Sequence, residues 1–139
     1  MSLQNVFDIA GSGLSAQSLR LNLTASNLAN MQNVAGTPDE VYRPRHPIFR
    51  AESSSFAGAM DAASGVNILG VIESTADPVE RYEPGHPEAN EQGVIYATNV
   101  NAMEEMANMI SASRSYQSNL EVINTTKELL LRTLSLGQS

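Results

Sequence analysis

The residues of this chain that could support metal binding or catalysis cluster around His86. Glu83, Glu88 and Glu91 lie close to it on both sides, and a histidine with several carboxylates could hold a metal ion. The segment PGHPEANEQG around it has the composition of a turn, whereas metal sites usually take their ligands from a rigid frame. A solvated acidic loop is therefore the better interpretation of this cluster.

Two further groups of residues have simpler explanations than chemistry. Gly11-Ser12-Gly13 lacks the lysine and the spacing of a phosphate-binding loop and lies inside a periodic segment, so we interpret it as a helix bend. Glu104 and Glu105 stand near the start of a predicted helix, where carboxylates interact favourably with the helix dipole. The chain has no cysteine, which excludes disulfides, thiolate metal sites and cysteine nucleophiles. We expect no catalytic residue, no cofactor and no metal.

Composition and charge narrow the possible partners. The chain of 139 residues carries 15 acidic and 8 basic side chains, a formal charge of -7, so nucleic acid is a poor partner. No stretch approaches the roughly 18 apolar residues that a membrane-spanning helix needs. The first residues include Asp8 but no basic start and no continuous apolar block, so a cleaved secretory leader is not expected.

All six prolines fall in the middle of the chain, which divides it into three parts. The flanking parts contain no proline and few glycines, and they therefore permit long helices. We predict an N-terminal helical arm over 1–37, a small β-rich middle domain over 38–98 and a C-terminal long helix over 99–139. The small, polar stretch Ser53 to Ser64 predicts a mobile loop. Runs rich in β-branched and aromatic residues predict three or four strands at Val41 to Phe49, Val66 to Ile72, Val79 to Tyr82 and Val94 to Ala97.

Both predicted helices carry apolar residues on two faces. In each, a main stripe follows the spacing of three and four residues that is typical of a coiled-coil seam, and a second stripe lies on another face. The last helix, if it extends from about Asn101 to Leu136, would be on the order of 50 Å long. The main stripes are Leu3, Phe7, Ala10, Leu14, Leu21, Ala25 and Leu28, and Ala102, Met106, Met109, Tyr116, Leu120, Ile123, Leu130 and Leu134. The second stripes are Ile9, Ala16, Leu19 and Leu23, and Val122, Leu129 and Leu136.

One partner cannot cover two separate faces of a helix. Asp8 and Arg20 are the only charged side chains before Asp39, so the first helix also lacks the charged face of a solvated helix. The predicted fold class is mainly α, with two long terminal helices pairing as a coiled coil and a short β-rich insert between them. For an arbitrary sequence, the first interpretation is an antiparallel helical hairpin whose two seams pack on each other within one chain. The second stripes favour helices surrounded by copies or relatives of themselves.

Three separated segments resemble bacterial flagellar rod proteins, which are part of the rod, hook and hook-associated axial family. The terminal signatures of that family are similar to SGLSAQSLRLNLTASNLAN (Ser12 to Asn30) and NVNAMEEMANMISASRSYQSNLEVIN (Asn99 to Asn124). The third segment resembles the central part of a short proximal-rod member of that family; it is RYEPGHPEANEQGVIYATNVN (Arg81 to Asn101). The segments occur in the family's order and span most of the chain.

The resemblance implies a structural subunit of the basal-body rod that polymerises with copies of itself and with other rod proteins into a hollow helical tube used for motility. It also implies export through the flagellar type III apparatus without a cleaved leader. Stripes and motifs together predict the assembly-interface residues Leu3, Phe7, Leu14, Arg20, Leu21, Asn27, Leu28, Asn30, Met106, Met109, Ile110, Arg114, Tyr116, Asn119, Leu120, Ile123, Leu130 and Leu134. The alternative function is a soluble helical-hairpin adaptor that binds one partner helix between its arms.

Overall fold

The computed structural model describes residues 3–51 and 65–136, which form two long helices and five short strands. Helix α1 spans Leu3–Ala29 and helix α2 spans Ala102–Leu136. The elements between them are, in chain order, β1 (Val34–Ala35), β2 (Arg45–Ala51), β3 (Val66–Glu73), β4 (Val79–Tyr82) and β5 (Val94–Ala97). The predicted class, mainly α with a small β-containing middle, is confirmed.

Most strands lie where the sequence pattern places them. The strands β4 and β5 have the predicted bounds, and β3 ends one residue after the predicted Ile72. Strand β2 spans Arg45–Ala51 instead of Val41 to Phe49, and Val41 is buried outside the sheets. The two-residue β1 has no counterpart among the predicted strands, because it is too short to show alternation. The predicted loop at 53–64 lies outside the described residues.

The two helices lie antiparallel. Arg20 Nη2 donates a hydrogen bond to Asn108 Oδ1 at 2.9 Å, and Gly13 faces Asn119 so closely that an added Cβ would stand 2.7 Å from its Nδ2. The partner in α2 thus rises in number as the residue in α1 falls. Helix α1 continues through Gly11 and Gly13 without interruption, and the missing side chain of Gly13 leaves room for the side chain of Asn119.

Helix α2 begins with a side-chain cap. Asn101 Oδ1 accepts hydrogen bonds from the backbone N–H of Met103 at 3.1 Å and of Glu104 at 3.4 Å, which satisfies two free donors of the first turn. Glu104 and Glu105 both lie in this turn, where their charge meets the positive end of the helix dipole. Glu104 is exposed and therefore stabilises the helix start, as the sequence predicts, whereas the burial of Glu105 opposes the same interaction.

The strands β2 and β3 form an antiparallel hairpin that is attached to α1 at two points. At one end the side-chain amide of Asn27 binds the backbone N–H and C=O of Arg45. At the other end the backbone N–H of Val66 donates to the hydroxyl of Ser12 at 3.0 Å. The hairpin therefore lies along α1 between these two residues.

The strands β1, β5 and β4 form a three-stranded antiparallel sheet with β5 in the centre. Ile95 of β5 is 2% exposed and belongs, with Ala35, Val41 and Ala97, to the few fully buried apolar side chains among the described residues. Gly93 precedes β5 with a φ of 75°, and a Cβ there would stand 2.9 Å from a proline side chain across the turn, so the turn requires glycine. Strand β4 is an edge strand whose four residues are all exposed.

Candidate assembly interface

The buried side chains of α1 and α2 are all small or polar. Ala10 and Thr24 share the face of Gly13 on α1, and each is 4% exposed. On α2, Ala112 is fully buried and Thr126 is 6% exposed. A contact between such side chains brings two backbones close together but buries little apolar area, and burial contributes only about 25 cal/mol per Å² of apolar surface. The helix pair therefore gains limited hydrophobic stabilisation within a single chain.

The second apolar stripe of α1 is covered by the β2–β3 hairpin of the same chain. The attachment points Ser12 and Asn27 lie on the same helix face as Ala16 and Leu23. Ala16 is 1% exposed and Leu23 is half-buried. The two apolar stripes of α1 are thus covered within one chain, by α2 on one face and by the β2–β3 hairpin on the other.

Asn27 is the polar centre of the contact between α1 and the hairpin. Its side chain is fully buried, and its Oδ1 accepts hydrogen bonds from the backbone N–H of Arg45 at 2.9 Å and from the hydroxyl of Tyr42 at 2.8 Å. Its Nδ2 donates to the backbone oxygen of Arg45 at 3.0 Å. Because the amide pairs with both backbone groups of one residue, it takes the place of a neighbouring strand. The side chain of this predicted interface residue is engaged within its own chain.

Helix α2 has no second partner among the described elements. It packs against α1, and no described strand comes within 8 Å of it between Cα atoms. Met103 is 77% exposed and Ile110 is 56% exposed. The exposed large apolar residues of α2 lie on more than one side of the helix and are together called the α2 outer surface; they are these two residues and Met106, Leu120, Val122, Leu129, Leu131, Leu134 and Leu136. Soluble monomers rarely leave extended apolar surface uncovered.

The predicted interface residues differ in exposure. Asn27 is buried. The exposed ones are Leu3, Met106, Ile110, Arg114, Leu120 and Leu134. The half-buried ones are Phe7, Leu14, Arg20, Leu21, Leu28, Asn30, Met109, Tyr116, Asn119, Ile123 and Leu130. The leucines of α1 flank its contact with α2, because glycine, alanine and threonine occupy the centre of that contact.

Apolar periodicity does not identify every residue of the α2 outer surface or of the contact between α1 and the hairpin. Leu131 is an exposed apolar side chain of α2 outside the predicted stripes. Ser12 and Tyr42 hold the hairpin on α1 through their hydroxyl groups. Apolar periodicity does not indicate such polar contacts. Met103 lies outside the stripes, but with Met106 and Met109 it forms a run of methionines at intervals of three residues, which indicates a pliable packing surface.

The residues around His86 form turns. His86 Nδ1 accepts a hydrogen bond from the backbone N–H of Glu88 at 3.1 Å, so the imidazole closes its own turn. Within 3–51 and 65–136, no three His, Asp or Glu side chains are placed to hold a metal ion. Neither described helix combines the length and apolar character needed to cross a bilayer.

Two family models match the helical ends of the chain. The model described as Flagella basal body rod protein matches residues 7–36, and that described as Flagellar basal body rod FlgEFG protein C-terminal matches residues 91–136. The flagellar basal-body rod protein FlgC of Salmonella typhimurium is 49% identical over 138 residues, which cover 99% of this chain and 100% of the relative. The chain belongs to the FlgC family of flagellar basal-body rod proteins.

Other members of the FlgC family extend the same relationship. The protein of Escherichia coli O157:H7 is 49% identical with the same coverage of both chains. The protein of Agrobacterium fabrum is 37% identical over 131 residues, which cover 92% of this chain and 90% of the relative. Membership of the FlgC family makes the chain a structural subunit of the flagellar basal-body rod and not an enzyme. The two matched ranges contain nearly all of α1 and all of α2, whereas the hairpin and β4 lie outside them.

Proposed function

We propose that the chain polymerises through α1 and α2, with copies of itself and with other rod proteins, into the hollow tube of the proximal rod. The α2 outer surface carries this proposal, because its apolar side chains are uncovered while α1 is covered on two faces. Complete burial of one Leu or Ile side chain stabilises by roughly 1.5 to 3 kcal/mol, before the cost of association is subtracted. Helices of adjacent subunits are the partners that suit a long apolar helix face.

We further propose that α1 and α2 pair as an antiparallel coiled coil within each subunit. The buried residues Glu105, Ala112 and Thr126 of α2 stand at multiples of seven residues. A second series with the same repeat begins four residues after Glu105 and is half-buried, at Met109, Tyr116, Ile123 and Leu130. Two such series alternate by three and four residues and keep one helix face towards a partner. This spacing supports a coiled-coil pairing of the two helices.

The proposal includes the route to the rod. We expect export through the flagellar type III apparatus without removal of a leader. The described residues bury few large apolar side chains, and Ile95 is the largest apolar one that is almost fully buried. Partial unfolding for passage through a channel therefore costs little free energy. An intact-mass measurement on protein recovered from basal bodies tests the route, because a shortened N-terminus would contradict it.

The assembly proposal is tested by placing the chain in the rod. A strain that lacks the chain should be unable to swim and should recover when the chain is supplied. Cryo-electron microscopy of its basal bodies should show the chain in the rod, with neighbouring helices against Ile110 and Leu134. Recovery of the chain outside the rod, as a stable monomer bound to one partner helix, would support the adaptor instead.

A further inference from the structure

A groove between α1, α2 and β2 carries positive charge for which the described residues provide no complete counterpart. Its volume is about 240 Å³. We call it the Arg20 groove, and the lining residues that matter here are Arg20, Arg45, His46, Pro47, Phe49 and Asn108. The groove combines cationic groups with the apolar surfaces of a proline and a phenylalanine.

The guanidinium of Arg20 is held in place but has no acidic partner among the described residues. It is half-buried, and its Nη2 donates to Asn108 Oδ1 at 2.9 Å. The ion pairs of the described residues do not include it. A guanidinium has five N–H donors in a fork that matches a carboxylate, so most of its binding capacity remains.

The other arginine of the groove already has a carboxylate. Arg45 Nη2 lies 2.9 Å from Glu73 Oε1, and both side chains are about half exposed. The uncompensated charge therefore belongs mainly to Arg20. Pro47 and Phe49 are half-buried beside it, so a fitting occupant presents a carboxylate next to an apolar ring.

Strand β4 presents such a pair of side chains. Glu80 and Tyr82 are two positions apart and therefore share a face of the strand. In the sheet Arg81 stands opposite the buried Ile95, so Glu80 and Tyr82 lie on the opposite, outer face, and Tyr82 is 74% exposed. In its own chain β4 does not come within 8 Å of α1, α2 or β2 between Cα atoms.

We propose that the Arg20 groove of one copy binds Glu80 and Tyr82 of a second copy of this chain. The proposal deepens the assembly function and rests on it. Charge complementarity supports the choice of partner, since the exposed segment 77–91 has five carboxylates and one arginine. A groove that binds a different surface of the next copy makes a heterologous contact, and such contacts propagate into helical assemblies.

The first test removes the charge of Arg20. Arg20→Gln places another good helix former at a half-buried position, so the helix content of the purified chain should stay close to that of the wild type. Loss of a hydrogen-bonded ion pair should weaken the contact roughly tenfold or more and reduce the number of assembled rods. Normal rod numbers and normal swimming with this variant would overturn the proposal.

The second test exchanges the two charges. Arg20→Glu and Glu80→Arg should each impair swimming, and the two substitutions combined in one chain should restore it, because each copy then offers a carboxylate to an arginine of the next. Arg20→Glu combined with Glu91→Arg is the matched control and should not recover, since Glu91 lies in a turn and not on the β4 face. A double variant no better than the worse single variant would contradict the pairing.

The third test identifies the partner. Because the chain has no cysteine, His46→Cys with Tyr82→Cys introduces the only two thiols. Oxidation of assembled basal bodies should link copies into products of twice the 14.9 kDa chain and larger, whereas each single variant should remain unlinked. No link in the double variant, or the same products in a single variant, would overturn the proposal. If Ile110→Glu stops assembly while Arg20→Gln does not, this inference fails and the assembly function stands.

Discussion

Helix α1 is covered on two faces by its own chain, whereas α2, with 35 residues against 27, is covered on one. Both helices have the same kind of sequence, with a main and a second apolar stripe. The hairpin makes the difference, because Ser12 and Asn27 attach it to the second stripe of α1 and no strand of the described residues does so for α2. A second apolar stripe therefore indicates that a second helix face is buried in the assembled state. It does not indicate whether the burying element belongs to the same chain or to a neighbour.

Charge shows the same difference between the helices. Helix α1 has Asp8 and Arg20 as its only charged side chains, and its low charge suggested contact with neighbouring molecules. The hairpin accounts for part of that surface within the chain. Helix α2 mixes charged residues with exposed apolar ones, which is the composition expected of a helix that is solvated before assembly and covered afterwards. The difference can be tested by substitutions on each helix.

The largest expected effect comes from the α2 outer surface. Met106→Glu with Ile110→Glu should abolish rod assembly and swimming, because unpaired carboxylates at a packed interface cost several kcal/mol. Both side chains are more than half exposed in the single chain, so its helix content should not change. Soft-agar swimming and circular dichroism of the purified chain measure the two outcomes. Ala107→Glu with Ser111→Glu, at exposed positions one residue further along, is the control. Equal loss of swimming with both pairs would remove the special role of this surface.

The next largest effect concerns the covered face of α1. Asn27→Ala should lower the free energy of unfolding by roughly 2 to 4 kcal/mol, because the backbone groups of Arg45 and the hydroxyl of Tyr42 lose a buried partner. Urea unfolding measures the loss, and hydrogen exchange should accelerate at the Arg45 amide. Asn30→Ala removes a single hydrogen bond at the end of α1 and should cost less. Similar losses in both variants would show that Asn27 does not hold the hairpin.

The contact between the two helices should respond to crowding at Gly13. Gly13→Val should destabilise by about 1 to 3 kcal/mol, because its side chain would collide with Asn119. Gly11 has no atom within 4 Å of an added Cβ, so Gly11→Ala should stabilise the helix by roughly 0.5 to 1 kcal/mol. Thermal unfolding of the purified variants gives both values. A change of the same sign at both positions would contradict the crowding of Gly13 by Asn119.

The smallest effect should come from Tyr42→Phe. The substitution removes a hydroxyl that donates to Asn27 Oδ1 at 2.8 Å and lies 3.2 Å from Ser26 Oγ. The expected loss is about 1 kcal/mol, since Asn27 keeps its bonds to Arg45 and the ring keeps its packing. Urea unfolding beside Asn27→Ala measures it. A loss as large as that of Asn27→Ala would mean that the phenol, and not the amide, holds the hairpin.

The strands could be predicted where the residue composition is distinctive. They could not be predicted where only a neighbouring strand makes the segment a strand. Val79–Tyr82 and Val94–Ala97 are short β-branched and aromatic runs between turn residues, and their bounds are correct. Val34–Ala35 becomes a strand only because β5 lies beside it, with Val34 opposite Ala97. Asn27 lies on a motif of the resemblance, but neither periodicity nor composition indicates that its amide binds Arg45. Such pairings depend on positions far apart in the chain.

Periodicity and proline placement by themselves determined that two long helices flank a small β-containing middle. Helix and strand signals are local, and proline is absent from the interiors of both helices. The resemblance of the terminal segments was likewise readable from the sequence, and it led to the correct family. Only the tertiary structure decided that the hairpin covers α1 and leaves α2 open, and that Gly13, Ala112 and Thr126 take the central places between the helices. The reason is physical: apolar periodicity says which faces must leave water, whereas close backbone approach and single buried hydrogen bonds decide which surfaces meet.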